Sequence, residues 1–422
     1  MKKSNRIFTV ALYAFLAVLV AGFILPSEGE AATKRVRRAT VRRGSTTPQT
    51  SARGVGTQKN PHVIRTAAQL SAFAASVNGG NTYAGQYVKL GADIDLRDVP
   101  WNPIGIYKDG NTRPFKGFFD GAGFSILNMG AGNNVRPPTA LFGALDGATI
   151  DGVNLHYIEV LGDTNVGGLV GFLVRSELKN CSVSGNVKGQ SAVGGIVGSS
   201  LRGTMQNCNF SGNVVGKDGV GGLIGAANQM RMRSCVVKGQ VEGNSDVGGF
   251  AGGVLDGAIM DCFADAVTVK GDRNVGGIVG SLIDNSSVNK STFKGQIFGN
   301  SNVGGVAGRM AAGELLSCTV NGSINGRVRA GGIVGELVDG KITRSTSGAS
   351  VNGVADIGGL AGRMSGGELN HSANNGMISG GEAVGGLVGS YSRGNLNLES
   401  NKNTGSVKGY HLTDRLVGVQ AR

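Results

Sequence analysis

The chain is poor in the residues that usually build a large globular core: 422 residues hold one tryptophan, and aromatics make up only 5%. Prolines number 8, and the 75 glycines show no every-third-residue period, which excludes a collagen helix and argues against a Pro/Gly linker. Glycine at this density is left as punctuation for turns and close backbone approach. The four histidines, His62, His156, His371 and His411, are scattered, and no H-E-x-x-H occurs, so that zinc-peptidase motif is absent. Cysteines number 5, an odd count, and none precedes Cys181, which excludes a lipid-bearing cysteine just after a leader.

What is present begins with an export signal. Lys2, Lys3 and Arg6 precede an apolar run from Ile7 to Leu25, followed by Pro26, Gly29 and Ala31. Residues 1–31 are expected to be a signal peptide, or an uncleaved anchor, since the run is 19 residues long. Either reading sends the rest to a bacterial surface, the periplasm or the medium. The net charge of +13 resembles a nucleic-acid signature until it is partitioned: the first 59 residues hold +9 of it and the remainder only +4. Eight of those charges lie in residues 33–59 with no acid among them, in a segment too polar to bury a core. Residues 32–60 are therefore expected to be a solvated basic linker, able to hold an anionic envelope polymer. Nucleic acid is disfavoured, because no aromatics interleave the charges.

The body of the chain is a repeat. Glycine pairs begin at Gly167, Gly194, Gly221, Gly248, Gly276, Gly304, Gly331, Gly358 and Gly385, spaced by 27 or 28 residues. Each unit reads V-G-G-[LIVF]-[VIA]-G, a polar loop, an apolar residue, Cys or Ser, then G-x-[VI]-x-G. Apolar runs this short, broken by glycines, indicate strands rather than helices. With no crossover helix, three short strands per unit are expected to coil so that each pairs with its equivalent one unit later. That is a parallel β-helix, right-handed by the crossover preference. Thr66-Ala67-Ala68-Gln69 followed by Leu70, Phe73, Ala74 and Val77 predicts a capping helix over 67–77 within an N-terminal cap at 61–80. Residues 81–150 read as atypical first coils, 151–410 as the repeats and 411–422 as a degenerate last coil. Which of the Leu169 and Val170 columns faces the core is left open by the pattern.

The VGGLVG units resemble the GLUG-motif repeats of bacterial surface and adhesin-like proteins, a module also found in immunoglobulin A peptidases. Asp93-Ile94-Asp95-Leu96, Pro103-Ile104-Gly105 and the stretch from Phe115 to Gly123 resemble the segment that usually precedes such repeats. The resemblance covers about residues 60–418. It implies an exported, surface-associated β-helical scaffold; it does not imply peptidase activity, which in that family belongs to a separate domain.

Candidate chemistry is thin. Asp93, Asp95 and Asp98 could offer a carboxylate pair to a polysaccharide-active lyase or hydrolase, the alternative function, but read better as turn and strand-edge residues. Asp163, Asp218, Asp246, Asp272 and Asp356 precede the glycine pairs, yet Ala192 and Arg329 stand among them, so a calcium ladder fails. Cys181, Cys208, Cys235, Cys262, Ser291, Cys318, Ser345, Ser372 and Ser400 align as one small, semi-apolar packing column, whose cysteines are expected to remain mostly free thiols. Arg175, Arg202, Arg231, Arg309, Arg363 and Arg393, alternating with Asp256, Asp284 and Asp339, read as a mixed solvated edge. No catalytic, cofactor or metal residue is assigned. The expectation is a non-enzymatic structural, adhesive or binding scaffold whose partner is an unidentified surface ligand, glycan or protein.

Overall fold

The computed structural model of the chain describes residues 54–107, 112–132 and 138–420. The expected signal peptide and most of the basic linker lie outside these. The described chain is a parallel β-helix of about 13 turns, built on two continuous parallel sheets of 22 and 24 strands.

The coil between the first glycine pairs shows the plan. Val170–Val174 and Glu177–Lys179 lie in one sheet, Ser182–Lys188 and Ser191–Gly194 in the other. This coil thus holds four strand segments, whereas the next two hold the expected three, Val197–Gln206 and Ile224–Arg233 running unbroken. The extra break falls at Arg175, whose left-handed φ of 44° bends the chain without leaving the sheet. Two more left-handed columns mark the other corners: Asn180, Asn207, Ser234 and Asp261 before the cysteine column, and Asn165, Ala192, Gly219 and Asp246 two residues ahead of the glycine pairs. Most of these corner residues are not glycine, and so the sequence pattern hid them.

The paired glycines serve close approach rather than positive φ. A Cβ on Gly167 would stand 2.1 Å from the Val170 carbonyl oxygen, and one on Gly168 2.4 Å from that of Gly195 in the next coil. With the chain kinked there, Leu169 and Val170 are both fully buried, so both apolar columns belong to the interior.

Register is in step from coil to coil at the glycine pairs, Val170 pairing Val197 and Val197 pairing Ile224. The 28-residue spacings have local causes. Ala266, left-handed, is a one-residue bulge where Val267 stands opposite Gly239 and Gly295. The Gly276 to Gly304 spacing comes instead from an extra residue in the turn at 284–286, between the pairs Leu255 with Ile283 and Ala258 with Ser287. A second bulge, Tyr157, lies ahead of the first glycine pair, where Ile158 stands opposite Gly185.

At the N-terminal end, helix α1 (Ala67–Asn78) covers the first coil as expected. The Thr66 hydroxyl accepts from the Gln69 N–H, while Gln69 Oε1 accepts from the Arg65 N–H, one residue earlier than in a standard capping box. Leu70, Phe73, Ala74 and Val77 are its buried face. Phe73 packs edge-on to Tyr83 and Phe115, at 4.9 and 5.6 Å between ring centres. The first coils are longer than the repeats: Ile94 pairs with Ile126, and the described residues between them, 97–107 and 112–116, make an excursion in which Ile104 pairs with Phe142 and Phe115 with Leu145. At the other end His411–Asp414 and Val417–Gln420 pair with the preceding coil, completing the degenerate last turn.

Candidate functional site

Two columns meet along one flank of the β-helix. The first is the left-handed residue before each glycine pair. The second is the residue after the third glycine: Phe172, Ser199, Ala226, Gly253, Ser281, Arg309, Glu336, Arg363 and Ser390, in register from coil to coil. The third glycine brings them together. A Cβ on Gly198 would lie 2.4 Å from the Asn165 carbonyl carbon, so only glycine lets the two columns approach. The result is a crevice along the helix axis, with Tyr107 from the excursion packed on Phe172 at its N-terminal end (5.1 Å).

The crevice changes character along its length. In its middle the floor is Ser199, Ala226, Gly253 and Ser281, all buried, and a Cβ on Gly253 would meet nothing within 4 Å. A directional hydrogen-bond chain runs along the wall. Arg329 Nη1 donates to Asn302 Oδ1 (3.1 Å), Asn302 Nδ2 to Asn274 Oδ1 (2.8 Å) and Asn274 Nδ2 to Asp246 Oδ1 (2.9 Å), where the Ser281 hydroxyl also donates. Burial pushes the Asp246 carboxyl above its usual range, against the pull of those two hydrogen bonds. Toward the C-terminal end the floor becomes charged: Arg309 Nε lies 3.3 Å from Glu336 Oε2, and Arg329 Nη1 3.8 Å from Glu336 Oε1. Asp356 beside them is likewise pushed up by burial, opposed by Arg363 and Arg329.

The carboxylates singled out in the sequence do not converge. Asp93 Oδ1 accepts from the Ser125 N–H (2.7 Å), and Asp95 Oδ1 from Arg97 N–H and Asn128 Nδ2 (both 2.9 Å). The Asn128 hydrogen bond first, then that of Arg97, lowers the Asp95 pKa, the opposite of what a general acid needs. Asp98 sits in a left-handed turn. The five pre-glycine aspartates fall into three neighbouring columns: only Asp246 and Asp356 share the left-handed one with Ala192 and Arg329. Among the described residues no group of three His, Cys, Asp or Glu could hold a metal. His62 bonds Gln86 and His156 bonds Ser184, each at 2.9 Å, in separate coils.

Two further readings are corrected. The cysteine column is a hydrogen-bonded corner as well as packing. Cys181 Sγ donates to the Lys179 carbonyl (3.0 Å) and Ser291 Oγ to that of Asn289 (3.0 Å), each adding a second hydrogen bond to a carbonyl that also accepts a backbone N–H of the preceding coil, from Gly152 and Asp261. A short donor is what the corner requires, and thiol or hydroxyl supplies it. The last member is Asn401, not Ser400: its Oδ1 accepts from the Ser372 N–H, because that coil is lengthened. The arginines do not form one edge either. Arg175 and Arg202 share a corner with Asp256 and Asp284, whereas Arg309 and Arg363 line the crevice. Glu336 was missed; counting positions after each third glycine would have found it.

The GLUG motif profile matches residues 162–188, 189–215 and 243–270, three coils of this plan. Three coils of this β-helix thus carry the GLUG motif. No curated protein sequence matches it. Among solved structures, a candidate immunoglobulin A1 protease from Bacteroides ovatus is 22% identical, with a TM-score of 0.46 over 63% of this chain and 76% of that one. A second, named IgA1 protease, is 17% identical, with a TM-score of 0.40 over 69% of this chain; the match spans only 21% of that protein.

Proposed function

We propose that this chain is an exported, non-catalytic scaffold whose coils present a binding or adhesive surface. The observation that carries the reading is the constancy of the coils. From Gly167 to Gly385 every turn differs from its neighbour by a single bulge or turn residue at most, and no loop rises from the repeats to wall a deep pocket. Among the described residues, the excursion at 97–107 and 112–116 lies against the flank through Tyr107 and Phe172. A regular face repeated about every 4.8 Å suits an extended polymer better than a small substrate held on all sides.

Residues 33–59 complete the reading as a tether to an anionic envelope polymer. Cell fractionation should place the protein in the envelope or medium, and washing at 1 M salt, where the Debye length is ~3 Å, should release it from envelopes. A variant beginning at Asn60 should bind envelopes poorly. Recovery of the full chain in the cytoplasm, or polysaccharide cleavage by the purified protein, would overturn the proposal.

A further inference from the structure

The crevice contains the same pairing at successive levels, the left-handed residue of one coil against the floor residue of the next. In two coils that pair is a hydrogen bond: Ser199 Oγ to Asn165 Oδ1 (2.7 Å), and Ser281 Oγ to Asp246 Oδ1. The equivalent pair nearer the C-terminus is Arg329 with Arg363, two guanidinium groups where other coils set a donor against an acceptor. The Nε of each is buried and has no hydrogen-bond partner. Glu336 does not supply the missing acceptor, since its carboxylate is engaged by Arg309 Nε and Arg329 Nη1. Asp356 attracts both arginines but lies within ion-pair distance of neither.

Two half-buried cations, each with a buried Nε–H that has no acceptor, form an arrangement that an anion with at least two oxygens would complete, because the guanidinium fork matches such groups in geometry. Leaving those donors desolvated and unpaired is costly in its absence. We infer that Arg329 and Arg363 form a binding site for an oxyanion, a sulfate or carboxylate group, entering from the flank beside Ser390. The site can take the free ion or the same group carried on an acidic polysaccharide. It does not depend on the scaffold reading, because loss of envelope binding through residues 33–59 would leave it intact.

The test is titration of the whole protein with sodium sulfate, sodium galacturonate and polygalacturonate by calorimetry, at ionic strength matched with chloride. The variants are Arg363→Gln, Arg363→Lys and, as a control, the exposed Arg393→Gln. Sulfate or galacturonate should bind above the chloride background. Affinity should fall at least tenfold in Arg363→Gln, less in Arg363→Lys, and stay unchanged in Arg393→Gln. Binding by the polymer alone, weakened equally by Arg363→Gln, would assign the group to the polysaccharide. No binding above chloride, or undiminished binding by Arg363→Gln and Arg363→Lys with native circular dichroism, would overturn the inference.

Discussion

Replacing Gly239 by valine should open the β-helix locally, and one added residue should close it again. Gly239 has φ +114°, and a Cβ there would stand 2.0 Å from the Gly212 carbonyl oxygen of the preceding coil. That φ costs a β-branched residue ~1–3 kcal/mol. The overlap forces a backbone shift that breaks one or two ladder hydrogen bonds, each worth ~0.5–1.5 kcal/mol net. The expected loss is therefore about 2–5 kcal/mol, confined to neighbouring coils because solenoid stability is a sum of nearest-neighbour terms. The next coil shows the remedy. There Val267 replaces the glycine, and the left-handed Ala266 ahead of it takes up the extra length. Inserting one alanine directly after Lys238 in the Gly239→Val variant should restore most of the loss. Amide hydrogen exchange over 209–215, 236–242 and 263–270 is the suitable assay, since a long repeat array need not melt as one unit. If Gly239→Val keeps wild-type protection, or the insertion lowers it further, the account of these bulges is wrong.

Asp246→Asn should raise stability at pH 7, since an amide oxygen still accepts from Ser281 and Asn274 without a buried charge. The folded pKa of Asp246 is raised, so folding favours its proton: the penalty is absent below about pH 4 and grows as pH rises through the folded pKa. Denaturation at pH 3.5 and pH 7 should show the gain only at the higher pH; an equal gain at both would refute the assignment. Phe73→Asp should uncover the first coil and produce concentration-dependent association in light scattering, and a monomer of unchanged stability would show that α1 is no cap. All 5 cysteines are buried and unpaired, and burial pushes Cys318 up to about 11. A thiol reagent at pH 8 should accordingly leave the native protein unlabelled and find five thiols after denaturation; rapid native labelling would contradict the buried column.

The repeat made the architecture readable because a parallel β-helix imposes the same steric demand on every coil, and glycine is the one residue that satisfies it at the third position of V-G-G-x-x-G. Helix α1 was readable for a local reason, its cap and apolar period lying within twelve residues. The corner residues were not, because the corners are turned by Arg175, Asn180 and Asn165, residue types that also occur in ordinary strands and loops. The crevice was hidden for a related cause. Its walls are residues seven positions apart in one coil and its pairs cross to the next, so Arg329, Glu336 and Arg363 meet only once the register is known. What the glycines fix is where two columns must touch; the pairs placed in that contact differ from coil to coil. In the coils of Asn165 and Asp246 the contact is a closed hydrogen bond, consistent with a purely structural role. In the coil of Arg329 it sets together two arginines whose buried Nε–H donors have no acceptor despite the carboxylates nearby, and a bound oxyanion would supply one.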